Sequence, residues 1–289
     1  MSAEEPRYGD GFYVVRDGLK LHYRDYPGGE GKPPLLCLHG LTRNARDFAD
    51  FAERYSPNFR VIVPEFRGRG MSDYDPLTAR YTPLTYVGDV LELLDNLKID
   101  RAIFVGTSLG GLVTMAIAAM APQRIAAAIL NDVGPELEKI GLDQIQNYVG
   151  RGERFDSWEE AAAAIKRNQE AAFPDYSLGD WLAAARRHCR EEGGKIVFDY
   201  DPAIADAFKS VGAAPEVDLW PLFAALAQKP LLIVRGELSL LLSAETARRM
   251  RDAAPEAKFV EVARTGHAPM LDEPEAVAAI DSFLDAISR

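Results

Sequence analysis

Ala102-Ile103-Phe104-Val105-Gly106-Thr107-Ser108-Leu109-Gly110-Gly111 is the stretch on which the fold turns. Its first four residues form a short, β-rich apolar run, and a helix-like apolar pattern begins near Leu109. Gly-x-Ser-x-Gly in that setting predicts a sharp strand-to-helix turn that pushes the serine hydroxyl out of the sheet. The flanking glycines remove Cβ atoms that would collide in so tight a bend. Ser108 is therefore the candidate nucleophile.

Outward from this turn, residues 35–38, 61–63, 126–130 and 231–234 form further short, continuous apolar runs, as strands buried on both faces do. Between them, Val87, Val90, Leu91, Leu94 and Leu97 fall on one helical face, and Val277, Ile280, Phe283, Leu284 and Ile287 repeat the pattern near the C-terminus. Strand-helix alternation of this kind predicts a mostly parallel sheet with helices on both faces. Residues 12–15 and 19–23 flank Asp17-Gly18, a hairpin signal that places two antiparallel strands ahead of it. The alternation breaks from Gly134 to about Ala214, where the chain reads as polar and mostly helical. The expected organisation is a core domain of residues 1–133 and 215–289 with a helical cap, residues 134–214, over the crevice at the strands' carboxyl ends.

Composition narrows the function. Hydrophobic residues make up 47% of the 289 and charged ones 27%, a globular balance, and 33 Lys and Arg against 44 Asp and Glu give a net charge of −11. That charge argues against a nucleic-acid partner. Cys37 and Cys189 do not suggest a disulfide framework. Met1-Ser2-Ala3-Glu4-Glu5-Pro6 lacks a leader's basic and apolar regions, and no run approaches a membrane span, so a cytoplasmic protein with no membrane partner is expected. The four histidines are scattered, no Cys or His pair has ligand spacing, and Gly68-Arg69-Gly70 matches no phosphate loop. Neither a metal nor a cofactor is expected, and the partner is a small-molecule substrate.

A serine hydroxyl needs a base, an acid to orient that base, and donors for the oxyanion. His267, in Thr265-Gly266-His267-Ala268-Pro269, follows the expected last strand, Lys258–Val262, and is the candidate base. His22 lies in the opening hairpin and His188 among arginines of the insertion, so both are set aside, while His39 reads as a residue that holds its loop. The backbone amides of Leu41, after Leu38-His39-Gly40, and of Leu109, after the nucleophile, are the candidate oxyanion donors.

In this order, His39-Gly40, the segment Phe66-Arg67-Gly68-Arg69-Gly70-Met71-Ser72-Asp73, the turn Gly106–Gly111, the helical insertion and Gly266-His267 resemble the α/β-hydrolase family over nearly the whole chain. The resemblance implies an eight-stranded, mostly parallel sheet, a serine nucleophile and a helical cap. It implies that the loop from Arg67 to Asp73 borders the pocket, with no chemistry of its own.

The resemblance also places the acid in a Gly-x-x-Ser-Asp arrangement after the strand that follows the cap. Here Gly236-Glu237-Leu238-Ser239 is followed by Leu240, which cannot accept a hydrogen bond. Three readings stay open: Asp132, at the end of the strand after the nucleophile; Glu237, three positions before the expected site; or no acid at all. The leading expectation is a serine hydrolase of a small ester or lactone. Hydrolysis of a carbon-carbon bond in ring-cleavage products, or a catalytically impaired ligand-binding member of the family, are the alternatives.

Overall fold

Alternate residues of each central strand face opposite layers of core, and this two-residue period organises the molecule. The computed structural model describes residues 7–29, 31–212 and 217–288. Strands β1 (Gly9–Val14) and β2 (Lys20–Tyr26) form the antiparallel opening hairpin. Then come β3 (Leu35–Leu38), helix α1 (Ala49–Tyr55), β4 (Val61–Pro64), α2 (Pro83–Asn96), β5 (Ala102–Thr107), α3 (Leu109–Met120) and β6 (Ile125–Asn131). After β6 come α4 (Lys139–Tyr148), β7 (Arg154–Phe155), α5 (Trp158–Gln169), α6 (Leu178–His188), β8 (Cys189–Glu192), β9 (Lys195–Phe198), α7 (Ile204–Gly212) and α8 (Trp220–Leu226). The chain closes with β10 (Leu231–Gly236), α9 (Ala244–Ala253), β11 (Lys258–Val262) and α10 (Pro274–Ile287).

The main sheet has eight strands in the order β1-β2-β4-β3-β5-β6-β10-β11. All neighbours from β4 to β11 pair in parallel, and β2 joins β4 antiparallel. Leu36, Leu38, Ile62, Phe104, Leu130 and Ile233 pack into one core with buried residues of α2, α3 and α8. Their strand neighbours Leu35, Cys37, Val61, Val63, Val105 and Val234 pack into the other core with α1 and α10. Burial on both faces is why these runs carry no polar alternation.

Helix ends follow local chemistry. Thr82 caps α2 through its hydroxyl, with Pro83 in the first turn where its missing N–H costs nothing. Ser177 and Asp180 cap each other's backbone at the start of α6. No helix among the described residues is long and apolar enough to cross a membrane.

The segment between β6 and β10 differs from expectation. It contains α4 to α8 but also a second sheet, β7-β9-β8, whose hairpin turns at Gly193-Gly194 with φ of 58° and 74°. That glycine pair is a strong hairpin signal, masked because Arg190, Glu191 and Glu192 give β8 a polar sequence. Phe155, Ala161, Ile165, Phe173, Trp181 and Ala185 give this segment a small core of its own. Its expected C-terminal limit, between residues 214 and 215, lies outside the described residues.

Two loops of the main sheet are tied to this segment. Asn44 Nδ2 and Arg46 Nε donate to the Arg187 carbonyl at 3.0 Å each. Arg46 Nη2 also reaches the Cys189 carbonyl at 3.1 Å and the Asp199 carboxylate at 2.7 Å. On the far side, the Gly266 amide donates to the Ala172 carbonyl at 2.6 Å, and Arg264 pairs with Asp175.

Candidate active site

Ser108 stands between β5 and α3 with φ of 52° and ψ of −116°, a conformation that costs a non-glycine residue energy and is held only where its surroundings fix it. The Ser108 amide donates to the Asn131 carbonyl at 3.1 Å, and its carbonyl accepts from the Gly111 and Leu112 amides that open α3. The flanking positions leave no room for side chains: a Cβ on Gly110 would collide with the Leu38 carbonyl, and one on Gly106 would lie 2.6 Å from the Gly110 carbonyl oxygen.

His267 sits in the loop between β11 and α10. Its Nε2 lies 2.9 Å from Ser108 Oγ and its Nδ1 lies 2.8 Å from Asp132 Oδ2. A carboxylate only accepts, so Nδ1 carries the ring proton and Nε2 presents its lone pair to the serine hydroxyl. Asp132 follows β6, which lies between β5 and β10, so one step past the strand end brings its carboxylate to the same sheet edge as Ser108. Its φ is 55°, and its amide donates to the Val234 carbonyl at 2.8 Å.

Asp132 is fully buried, and three donors surround its carboxylate. The Gly236 amide reaches Oδ1 at 2.9 Å; the Ser239 hydroxyl and His267 Nδ1 reach Oδ2 at 2.7 and 2.8 Å. Ser239 Oγ itself accepts from the Leu241 and Leu242 amides at 3.2 and 3.1 Å, which leaves its proton to point at Asp132. Gly236 and Ser239 thus belong to the stretch that resembles the usual acid-bearing loop, but here they donate to a carboxylate carried one residue past β6.

Glu237, the other candidate carboxylate, and Leu240, at the position of the expected aspartate, both lie away from His267. Glu237 accepts from the Arg264 amide at 2.6 Å and makes no contact with His267. Leu240 is 42% exposed, and its backbone carbonyl packs against Gly141 of α4.

The amides of Leu41 and Leu109, the expected oxyanion donors, have no acceptor among the described residues; Leu109 directly follows Ser108, and Leu41 lines the cavity that holds Ser108. His39 holds the loop before Leu41. Its Nδ1 donates to the Gly40 carbonyl at 2.8 Å and its Nε2 accepts from the Phe66 amide at 3.1 Å. Burial lowers the His39 pKa to about 4, so the ring is neutral, as that bonding pattern requires. The Arg67 to Asp73 loop does not border the cavity, contrary to expectation. It lies behind the Leu41 loop, where Arg69 Nε donates to the Leu41 carbonyl at 2.8 Å. Arg67 is buried among Asp17, Asp75 and Asp89.

The cavity over Ser108 and His267 has a volume of about 80 Å³. Tyr148, Phe173 and Tyr176 supply apolar wall, while Arg43, Arg187 and His188 supply polar wall. His188 reads on sequence as a histidine among arginines of the insertion, away from the sheet, and nothing local reveals that α6 ends beside the cavity. No cluster of three or more His, Cys, Asp or Glu side chains suited to a metal occurs among the described residues.

Comparison with known proteins agrees with this architecture. The model of the Alpha/beta hydrolase family matches residues 35–280. A 3-hydroxybutyrate-oligomer hydrolase from Cupriavidus necator is 32% identical over 98% of this chain and 99% of its own. A 2-(acetamidomethylene)succinate hydrolase from Mesorhizobium japonicum is 29% identical over 93% of this chain and 92% of its own. The crystal structure of an alpha/beta hydrolase from Novosphingobium aromaticivorans is 49% identical, covers 97% of this chain and 99% of its own, and superposes with a TM-score of 0.93. With its eight-stranded sheet and a family match that spans most of its length, the chain belongs to the alpha/beta hydrolase family.

Proposed function

We propose that the protein is a serine hydrolase that cleaves a small ester or lactone through an acyl-enzyme. The observation that carries this reading is the continuous hydrogen-bonded line from Ser108 Oγ through His267 to Asp132. In the acylation step, His267 Nε2 takes the Ser108 proton as Oγ bonds to the substrate carbonyl carbon. The resulting imidazolium is stabilised by the buried Asp132 carboxylate, and the amides of Leu41 and Leu109 receive the oxyanion. His267 then returns the proton to the departing alcohol, and water repeats the sequence to release the acid.

In this reading residues 134–214 form a cap, because Tyr148, Phe173 and His188 from that segment line the cavity that holds Ser108. Names of relatives, among them a hydrolase of 3-hydroxybutyrate oligomers, support ester chemistry. Labelling with a fluorophosphonate probe tests the reading. The wild-type chain is expected to take the label and Ser108→Ala to lose it; a chain unlabelled at Ser108 would contradict the proposal.

A further inference from the structure

Arg187 and His188 close α6 with two donors that the protein leaves unused. Basic residues in the last turn of a helix ordinarily complement its dipole from the surface, and Arg186 behaves that way, stacking on Trp158 at 3.9 Å. Arg187 and His188 differ. Arg187 lines the cavity above Ser108, its buried Nε has no hydrogen-bond partner, and it makes no ion pair among the described residues. Asp272 and Asp180 lie near enough to sense its charge but do not pair with it.

His188 is 6% exposed and lines the same cavity. Arg43 Nη1 lies 3.2 Å from His188 Nδ1, and a guanidinium can only donate, so Nδ1 holds a lone pair. Burial, followed by the fields of Arg43, Arg187 and Arg46, holds this histidine neutral, and the ring proton therefore sits on Nε2. That buried N–H also has no acceptor. A buried donor without an acceptor carries a substantial penalty, which a ligand that supplies the acceptor removes. Asp47 is the carboxylate in the wall, and it is already held by Arg43 through both oxygens, at 2.5 and 2.8 Å. The contacts of Asn44 and Arg46 on the Arg187 carbonyl fix the backbone at the end of α6, and Arg43 holds the His188 ring, so the His188 N–H is oriented before any ligand arrives.

We infer that Arg187 and His188 Nε2 form a carboxylate-binding subsite in the substrate cavity, so that the preferred substrates are esters of small acids carrying a free carboxylate. This rests on the serine hydrolase reading for the reaction, though not for the binding. An overall charge of −11 does not oppose it, since the cavity presents one unpaired guanidinium locally.

The test compares charged and neutral forms of otherwise matched esters. For a carboxylate on the acyl side, 4-nitrophenyl hydrogen glutarate is set against 4-nitrophenyl methyl glutarate, read by nitrophenolate release. For the alcohol side, 3-acetoxybutanoate is set against 3-acetoxybutanamide, read by acetate release. A charge-assisted pair in a fixed site predicts that the anionic member leads in kcat/KM by about tenfold or more in at least one pair. Arg187→Ala should collapse that ratio towards one, and Arg187→Lys should keep part of it. Ratios near one in both wild-type pairs, or a ratio unchanged by Arg187→Ala, would overturn the subsite.

Fluorophosphonate labelling of the same samples separates the two readings. Label at Ser108 with ratios near one refutes the subsite alone. If the wild type takes no label, calorimetry on Ser108→Ala decides the subsite separately: tighter binding of hydrogen glutarate ester than of its methyl ester supports it, and equal binding refutes it. Should Arg187→Ala fail to fold, protection of wild-type Ser108 from labelling by glutarate but not by glutaramide replaces it, and equal effects of the two refute the subsite.

Discussion

Asp132 and His267 are 135 positions apart, yet Asp132 Oδ2 lies 2.8 Å from His267 Nδ1, across the edge of two strands that are not neighbours. The carboxylate reaches the ring from β6 while the loop after β10 wraps around it. Loss of the charge with little change in shape should therefore be severe. Asp132→Asn is expected to lower kcat on the order of 10⁴-fold against an aryl ester, with folding retained. A drop of less than about tenfold in steady-state assays would remove Asp132 from the acid role.

Ser239 donates to the same carboxylate oxygen as His267 and is held by two amides. It touches Asp132 and does not line the cavity over Ser108. Ser239→Ala should reduce kcat by about tenfold, the effect of one lost hydrogen bond to a buried charge, with KM little changed. A Ser239→Thr variant that recovers most of the loss would show that the hydroxyl, and not the volume, is responsible.

Leu240 occupies the position where a related sequence pattern carries an aspartate, but it is exposed and its backbone rests on α4. An added carboxylate there has no vacancy at His267 to fill, because Asp132 already holds Nδ1. Leu240→Asp is expected to leave kcat/KM within about twofold of the wild type, as for a surface change away from the reacting groups. A large gain would show that Asp132 is not the working acid.

Neutral buried His39 makes stability depend on pH. Its folded pKa is depressed from 6.5 to about 4, so its contribution is present in full above 6.5 and declines as acid protonates the unfolded chain in preference to the folded one. The loss approaches about 3 kcal/mol by pH 4, and His188, whose pKa is also lowered by burial, adds to it in the same direction. Urea unfolding from pH 7 to pH 4 should show the midpoint falling, and His39→Gln should flatten part of that slope. An unchanged slope in the variant would refute the assignment of the effect to His39.

Much of this site is written locally in the sequence. The apolar run before Gly106 and the glycine spacing around Ser108 fix the turn because only that backbone fits there. His267 follows from its place after the last strand. Asp132 is one of three open readings on sequence, beside Glu237 and no acid, since choosing it requires knowing that β6 lies between β5 and β10, which is a property of strand order and not of residue spacing. Ser239 gave no signal because the carboxylate it donates to, on Asp132, lies 107 positions away in the chain. Arg187 and His188 read as an ordinary basic helix end until α6 is placed above the sheet, and the β8–β9 hairpin hid behind its charged residues.

The ties between the β6–β10 segment and the two loops of the sheet bear on how new specificity can arise in this scaffold. Arg46 alone engages two backbone carbonyls and one carboxylate of that segment, and the Gly266 amide holds a third carbonyl from the opposite side. Most of these acceptors are main-chain atoms, which every residue type supplies. Side chains facing the cavity can therefore be exchanged freely while the docking persists, whereas an insertion or deletion that shifts the carbonyls of Ala172, Arg187 or Cys189 would uncouple the walls from the chemistry beneath them. In this chain the docking of the cavity walls therefore depends more on the length of the segment than on the identity of its side chains.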